Sequence, residues 1–219
     1  TFESKGVIVD QTGHVVASAS RPHKMLVPQP GWAEHRPKQD WWGDFTHICR
    51  KMLAESGVAP ETIRAVGTSA IGPCMLPVDE NGEALSNAAL YGVDTRATKE
   101  IEELNAAIGP ERILDFCGNA LTSQSVGPKI LWLKRNRPDI FARAAKIVTS
   151  TTYLVQKLTG ECVIDHYSAA NFSPLYLIDR QEWSSELAPV IIERERLPKI
   201  ILTTDIAGHV TAAAARATG

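Results

Sequence analysis

Acid–base chemistry in this chain is best supported at Asp165, which follows a short apolar run and precedes small and hydroxyl residues within 161–171. That pattern predicts a strand or loop ending at Asp165, then a short helix with Asp165 as its N-cap. A carboxylate there lies at the positive end of the helix dipole, which favours its ionised form. An ionised carboxylate on a rigid element can accept a proton from a bound hydroxyl. The alternative is that Asp165 only caps the helix, because aspartate is a common N-cap.

Three further side chains could contact a ligand rich in hydroxyl groups. Asp94 and Arg96 form an Asp-x-Arg triplet at the end of a predicted strand over 88–97. The Asp94 carboxylate could accept hydrogen bonds from neighbouring hydroxyls, with Arg96 orienting it as a charge-assisted partner. The alternative is an ordinary ion pair at a strand-to-helix junction. Trp32 could pack against the apolar face of a sugar, or it could hold its own loop on the core.

The elements that must position these residues alternate between strands and helices, which predicts an α/β domain. A β-hairpin is expected over 5–10 and 14–20, turning at Gly13. Pro37 is expected in the first turn of a long helix, and Ser150 or Thr151 as the cap of a later one. The other predicted strands cover 63–70, which should be buried, 72–82 and 145–150. The predicted helices cover 37–56, 96–107, 111–117, 129–136 and 152–158.

Composition excludes several classes of function. The 219 residues carry a formal net charge of −2, which gives no electrostatic reason to expect nucleic acid or an acidic membrane surface. No apolar run approaches the roughly 18 residues of a membrane span, and no secretory signal is visible. The four cysteines are scattered without a C-x-x-C pair, which favours reduced thiols and a cytoplasmic protein over a zinc site or disulfide framework.

The sequence resembles a known family in several separate blocks. Residues 165–171, Asp-His-Tyr-Ser-Ala-Ala-Asn, are similar to the Asp-x-x-Ser/Asn-Ala-Ser segment of FGGY-family carbohydrate kinases, which include glycerol, xylulose, ribulose and gluconate kinases. Residues 31–37, followed by Trp41 and Trp42, resemble that family's Gly-Trp-x-Glu-x-x-Pro block. Residues 152–160 resemble the block before the catalytic aspartate, with Thr152 replacing an aspartate. Five blocks match in order across nearly all of the chain, so it is identified as a member of this family.

The resemblance implies an actin-like, ribonuclease-H-like α/β fold, with a mixed β-sheet and helices on both faces. It implies that residues 1–207 are the N-terminal sugar-binding domain, with the first strand and the phosphate loop truncated. Residues 208–219 would begin the connection to an absent C-terminal nucleotide-binding domain. ATP and Mg²⁺ are the implied cofactors, and the partners are a small sugar or polyol, without nucleic acid or membrane. A homodimer stays open, and the isolated fragment is expected to be inactive.

The family's site residues carry over to matching positions of this chain. Asp165 would be the general base for transfer of the γ-phosphoryl group to a hydroxyl, and Asp94 would position neighbouring hydroxyls. The absence of polar side chains at Ala70 and Ile71 argues against glycerol and favours a ketopentose such as xylulose. The other implied substrate-binding residues are Ser69, Gly72, Trp32, Gln124 and Arg96, and Ser4 and Lys5 are the implied remnant of the phosphate loop.

Two alternatives to the kinase remain at this stage. The domain could bind sugar as a sensor without transferring phosphate. It could also be an unrelated actin-like protein, such as a chaperone ATPase or a sugar-responsive repressor. The repressor type carries a cysteine-rich zinc motif, which this sequence lacks.

Overall fold

The computed structural model describes residues 2–219, in which short strands alternate with helices. The strands are β1 (Glu3–Val9), β2 (Val15–Pro22), β3 (Glu34–His35), β4 (Leu76–Val78), β5 (Ala88–Ala89), β6 (Lys146–Val148), β7 (Val163–Asp165), β8 (Tyr176–Leu177), β9 (Glu182–Trp183) and β10 (Lys199–Ile201). The α-helices are α1 (Asp44–Ser56), α2 (Thr98–Ile108), α3 (Pro110–Cys117), α4 (Val126–Asn136), α5 (Pro138–Arg143), α6 (Ser150–Thr159), α7 (His166–Ala170), α8 (Ala188–Ile191) and α9 (Ala212–Thr218).

The predicted hairpin and the long helix after it are confirmed. Strands β1 and β2 pair antiparallel, and Gly13 takes the positive φ of 84° that the turn requires. Pro37 is the first residue of a π-helical segment, Pro37–Gly43, which continues directly into α1. Gly57 is the C-cap of α1. Helix α9 packs against α1, because the Arg50 guanidinium donates to two backbone carbonyls of α9.

The prediction of a buried strand over 63–70 is wrong. The segment is exposed, and within residues 2–219 none of the backbone N–H groups of 64–69 donates to another backbone group. Ile63 and Val66 are 37% and 47% exposed. The apolar residues indicated a buried strand, but a strand needs a neighbouring strand for its hydrogen-bond ladder. No described strand lies beside this segment.

The prediction of a strand over 88–97 holds only for β5. After Ala89 the chain turns, and the backbone N–H of Asp94 donates to the carbonyl of Tyr91 at 2.8 Å. The turn forms because the Asp94 carboxylate accepts hydrogen bonds from backbone groups, which competes with a strand ladder.

The central strands separate two hydrophobic cores. Strand β3 pairs with β5, a bridge between Met75 and Ala89 connects β5 to the β4 region, and β4 pairs with β6, all antiparallel. Strand β7 pairs with β10 in parallel, so both strand directions occur, as predicted. Neighbouring residues on β6 point to opposite faces: Ile147 enters one core and Val148 the other. Helices therefore cover both faces of these strands.

Helix α6 begins at a different cap from the predicted one. Thr149 is the N-cap, and its hydroxyl accepts a hydrogen bond from the backbone N–H of Thr152 at 3.2 Å. The predicted caps bond elsewhere: the Ser150 hydroxyl donates to the Ile71 carbonyl, and Thr151 Oγ1 accepts from the backbone N–H of Ala70. Tertiary contacts of those hydroxyls, which the local sequence does not reveal, explain the shift by one position.

Gly127 lets the start of α4 approach the segment after α7. A Cβ at this position would lie 2.5 Å from the carbonyl oxygen of Ser173 and 2.8 Å from Cδ of Pro174. We expect Gly127→Ala to lower the free energy of unfolding by about 1–3 kcal/mol, because the backbone must shift to relieve the clash. Chemical denaturation measures this. Gly67→Ala is the control, because its Cβ would meet nothing within 4 Å. Equal losses in the two variants would contradict the packing argument.

Candidate active site

Asp165 lies at the end of β7 and caps α7, as predicted. Its Oδ1 accepts from the backbone N–H of Ser168 at 2.9 Å, and its Oδ2 accepts from the Ser168 hydroxyl at 2.7 Å. The residue is half-buried, and within residues 2–219 no cation pairs with it. Two hydrogen bonds from one residue fix the orientation of the carboxylate and leave acceptor capacity on both oxygens. Asp165 is thus an oriented carboxylate with access to solvent.

The turn containing residues 69–72 is anchored on the start of α6. The backbone N–H of Ala70 donates to Thr151 Oγ1 at 3.0 Å, and the Ser150 hydroxyl donates to the Ile71 carbonyl at 2.5 Å. Ser69 and Ala70 remain exposed, whereas Ile71 and Gly72 are half-buried. The turn is held by side chains although its preceding segment lacks strand partners.

Asn171 joins the Asp165 helix to two other candidate segments. A Cβ built on Gly72 would lie 3.4 Å from Asn171 Nδ2, and the backbone carbonyl of Asn171 accepts from Val126 N–H at 2.8 Å. The first contact reaches the turn of residues 69–72, and the second reaches the start of α4, just after Gln124. Sequence reasoning did not assign Asn171 a role; its place at the end of the 165–171 motif was the available signal.

The Asp94 carboxylate is buried in an ion-pair cluster. Its side chain has no exposed surface, and it accepts from the backbone N–H of Ala33 at 2.8 Å and from Arg96 Nη2 at 2.7 Å. Arg96 also reaches Glu34 at 2.9 Å, and Asn87 Nδ2 donates to the other oxygen of Glu34. This geometry favours the ion-pair alternative over direct contact between Asp94 and a sugar hydroxyl. Glu34 and Asn87 were not predicted members of the cluster.

Arg96 holds the Trp32 ring in place through a cation–π contact. Its guanidinium carbon lies 4.0 Å from the Trp32 ring centroid and 5.1 Å from that of Trp132. The two tryptophan rings meet edge to face with centroids 5.1 Å apart. Trp32 is half-buried, so its ring is held in place while part of it stays accessible. The two sequence-based interpretations of Trp32, pinning its loop and presenting an apolar surface, are therefore compatible.

Gln124 presents an unpaired side-chain amide from a loop that is held by hydrogen bonds. Its backbone N–H donates to Thr122 Oγ1 at 3.2 Å, and a Cβ built on Gly92 would lie 3.2 Å from its Cγ. The residue is exposed, and its side-chain amide makes no hydrogen bond within residues 2–219. Four hydrogen-bonding positions are thus available to a ligand.

Ser4 and Lys5 are not brought together with the other candidate residues. The Ser4 hydroxyl donates to the Asp44 carboxylate at 3.0 Å, at the start of α1. Lys5 is exposed and pairs with Glu3 at 3.2 Å. Both residues lie on the hairpin that packs against α1, and none of their contacts reaches the Asp165 segment.

A cavity of about 500 Å³ lies near β9 and β10, where Lys146, Trp183 and Arg194 form part of its wall, and it contains none of the candidate residues. Within residues 2–219 no group of three or more His, Cys, Asp or Glu side chains could hold a metal ion. No helix within 2–219 is long and apolar enough to cross a membrane. The candidate residues differ in exposure: Asp165 is half-buried and Gln124 exposed, whereas the side chains of Asp94 and Arg96 are buried.

Comparison with known proteins defines the class of this chain. All of residues 1–219 match the model of the N-terminal domain of the FGGY family of carbohydrate kinases. The chain therefore belongs to this family, and the resemblance noted in the sequence is confirmed. It is 28% identical over 213 residues to the xylulose kinase of Lactococcus lactis, and 31% identical over 215 residues to the glycerol kinase of Corynebacterium efficiens.

Solved structures confirm the actin-like, ribonuclease-H-like fold. The xylulose kinase from Rhodospirillum rubrum aligns with a TM-score of 0.92 at 28% identity, covering 100% of this chain and 44% of that one. Plasmodium falciparum glycerol kinase with ADP aligns with a TM-score of 0.89 at 22% identity, covering 98% of this chain and 44% of that one. Alignments with the two curated relatives cover 97% and 91% of this chain but 42% of each relative. The chain thus spans less than half the length of its relatives.

Proposed function

We propose that the full-length protein transfers the γ-phosphoryl group of ATP to a hydroxyl of a sugar or polyol, and that this chain forms the acceptor half. Family membership supports the reaction class. The observation that carries the assignment of the base is the Asp165 carboxylate, oriented by two hydrogen bonds from Ser168. The side chain of Asn171, at the end of its helix, lies near Gly72 in the turn of residues 69–72.

In the proposed mechanism Asp165 acts as the general base. It takes the proton of the acceptor hydroxyl as that oxygen bonds to the γ-phosphorus, while the bond from phosphorus to the bridging oxygen breaks and ADP leaves. Chemistry of this kind depends mainly on positioning and charge stabilisation. The hydrogen bonds from Ser168 restrict the carboxylate to one orientation, so its reorganisation during proton transfer is small.

The surrounding residues would shape the acceptor site. We assign the walls to Trp32, to Gln124 and to the turn of residues Ser69, Ala70, Ile71 and Gly72. Asp94 and Arg96 would act indirectly, because their buried pair holds the Trp32 loop. The apolar side chains of Ala70 and Ile71 support a ketopentose such as xylulose over glycerol. Among the relatives are proteins named xylulose kinase and proteins named glycerol kinase.

The nucleotide and Mg²⁺ would bind mainly outside this chain. Within residues 2–219 no cluster of three or more His, Cys, Asp or Glu side chains is placed to hold the ion. We propose residues 1–207 as the sugar-binding domain and 208–219 as the start of a connection to a C-terminal nucleotide-binding domain. The short coverage of the relatives supports a further domain in the full-length protein. The four cysteines are free thiols, which supports a cytoplasmic location.

A coupled ADP-release screen of the full-length protein tests this function. We expect sugar-dependent ADP release, with the highest kcat/KM for a ketopentose among pentuloses, hexonates and polyols. The isolated chain should release no ADP, because the nucleotide half is missing from it. Calorimetry with the same compounds is the companion measurement. Sugar binding by the full-length protein without ADP release from any compound would instead support a binding module or sensor.

A further inference from the structure

Lys129 is a buried lysine that the mechanism above does not use. It lies in the first turn of α4 and is 1% exposed. Lysine is almost never fully buried unless its ammonium has a partner. Within residues 2–219 no carboxylate lies in ion-pair range of it. Its Nζ donates instead to the backbone carbonyl oxygen of Ser123. The Lys129 ammonium is costly to bury, and its hydrogen bond is made to the backbone of a loop residue.

The loop that receives this hydrogen bond is the one that presents Gln124. The Ser123 hydroxyl donates to the carbonyl of Gly92 at 2.7 Å, which ties the loop to the segment after β5. The backbone N–H of Thr122 donates to Ser125 Oγ at 3.1 Å, which closes the loop on itself. The bond from Lys129 is the charge-assisted one in this set, and such bonds are the strong ones.

The Gln124 side chain packs against Gly92, where the absence of a side chain leaves room for it. The absent Cβ of Gly92 would lie 3.2 Å from Gln124 Cγ and 3.7 Å from the Ser123 hydroxyl. The aliphatic part of the Gln124 side chain therefore packs against the backbone of Gly92, and the unpaired amide lies beyond it. The backbone of the loop is thus held by hydrogen bonds, and the Gln124 side chain lies against Gly92.

We propose that Lys129 is a positioning residue of the acceptor site, holding residues 122–125 so that the Gln124 amide binds a hydroxyl of the sugar. The inference rests on the proposed function and adds to it a determinant of sugar affinity. Lys129 itself touches no substrate, since its side chain is buried. It acts through Ser123 and Gln124.

The charge on Lys129 titrates within an accessible pH range. Burial lowers the pKa of its ammonium to about 8, although Asp94 opposes this shift; Arg96 adds to it. Cys74 also faces the ammonium, and burial raises the pKa of that thiol to about 11, so the thiol stays neutral. Above pH about 8 the bond to Ser123 loses its charge assistance. We expect the KM for sugar to rise as pH passes through this value.

Unfolding does not account for such a rise in KM. The pKa of Lys129 is lower in the folded protein than the ordinary 10.5, so the unfolded chain binds more protons between about 8 and 10.5. This group therefore makes the folded state more stable as pH rises across that interval. Stability and sugar affinity are expected to change in opposite directions, which separates positioning from a general structural effect.

Sugar kinetics of the full-length Lys129→Met variant provide the test. We expect KM to rise about tenfold with kcat nearly unchanged, as for the loss of a charge-assisted hydrogen bond that positions a binding group. The pH-dependent rise in KM should also disappear, and Lys129→Arg should restore part of the affinity. Lys134→Met is the matched control, because Lys134 lies on the same helix and also donates to a backbone carbonyl, that of Ile191. Its KM should equal that of the wild type.

A double-variant cycle and a second substitution complete the test. Lys129→Met should add little to the KM of Gln124→Ala, because both changes remove the same interaction. Gly92→Ala should also raise KM, by displacing Gln124 without touching the buried charge. Fully additive effects, or a Lys129→Met variant with wild-type KM, would overturn the inference. If Lys129→Met does not fold, wild-type KM in Gly92→Ala would overturn it.

Direct sugar binding, measured by calorimetry, distinguishes this inference from the proposed function. Absence of sugar-dependent ADP release in the wild type would reject the kinase, while weaker sugar binding by Lys129→Met would still support the positioning role. Equal sugar affinity of the wild type and Lys129→Met would reject the positioning role alone. A wild type that binds no sugar would reject both.

Discussion

Replacing Arg96 with methionine is expected to lower the free energy of unfolding by about 3–5 kcal/mol, the usual cost of removing one partner from a buried ion pair. The variant leaves the Asp94 and Glu34 carboxylates without their cation, and these side chains are 0% and 10% exposed. Asp94 would keep the backbone N–H of Ala33, which does not supply a full positive charge.

The loss should exceed that of a surface ion pair measured in the same way. Arg112 is the matched control: it pairs with Glu186 at 2.5 Å and lies 5.0 Å from the Phe116 ring centroid, but its side chain is 47% exposed. Arg112→Met should cost about 0–1 kcal/mol, because solvent screens an exposed pair. Chemical denaturation gives both values.

A second substitution shows whether the buried charge is the cause. Adding Asp94→Asn to Arg96→Met should recover part of the stability, because it removes one of the uncompensated carboxylates. If Arg96→Met costs no more than Arg112→Met, the cluster does not hold the Trp32 loop as described. The indirect role of Asp94 in the acceptor site would then be lost as well.

Asp165→Asn in the full-length protein should lower kcat by at least about a hundredfold, the general range for loss of a positioned base. Asparagine is also a good N-cap, so the Oδ1 bond to the Ser168 N–H can persist and the helix should form. The variant therefore removes proton acceptance with little change in local structure. Steady-state kinetics with the best sugar of the screen provide the value.

Asp10→Asn is the matched control for Asp165→Asn. Asp10 Oδ1 also accepts from a backbone N–H, that of Thr12 at 2.8 Å, but it lies in the hairpin turn. Turnover of this variant should equal that of the wild type. A kcat for Asp165→Asn within about threefold of the wild type would remove Asp165 from the role of base.

Local signals made part of the structure predictable. The N-cap at Asp165, the turn at Gly13 and the helix entry at Pro37 each follow from the conformational preferences of a few adjacent residues, and each is confirmed. The family could be identified for a similar reason, because its motifs are short segments with fixed internal spacing. The fold could then be inferred from the family.

Contacts between distant segments were not predictable. The burial of Asp94 depends on a bond from Ala33, just before β3, and on Arg96, which also pairs with Glu34 of β3. The cap of α6 differs from the predicted one because Ser150 bonds to Ile71. The segment 63–70 has the composition of a buried strand but no described neighbour to pair with. The burial of Lys129 was not predictable either, because the sequence does not show which distant carbonyl accepts its hydrogen bond.

The central claim is that Asp165 removes the proton from the acceptor hydroxyl. It is tested most directly by single-turnover formation of sugar phosphate, with the full-length protein in excess over radiolabelled ATP and the sugar saturating. Under these conditions product release does not limit the rate. We predict that sugar phosphate forms at least about a hundredfold more slowly in Asp165→Asn than in the wild type, with sugar affinity nearly unchanged. Equal single-turnover rates in the two proteins would contradict the claim.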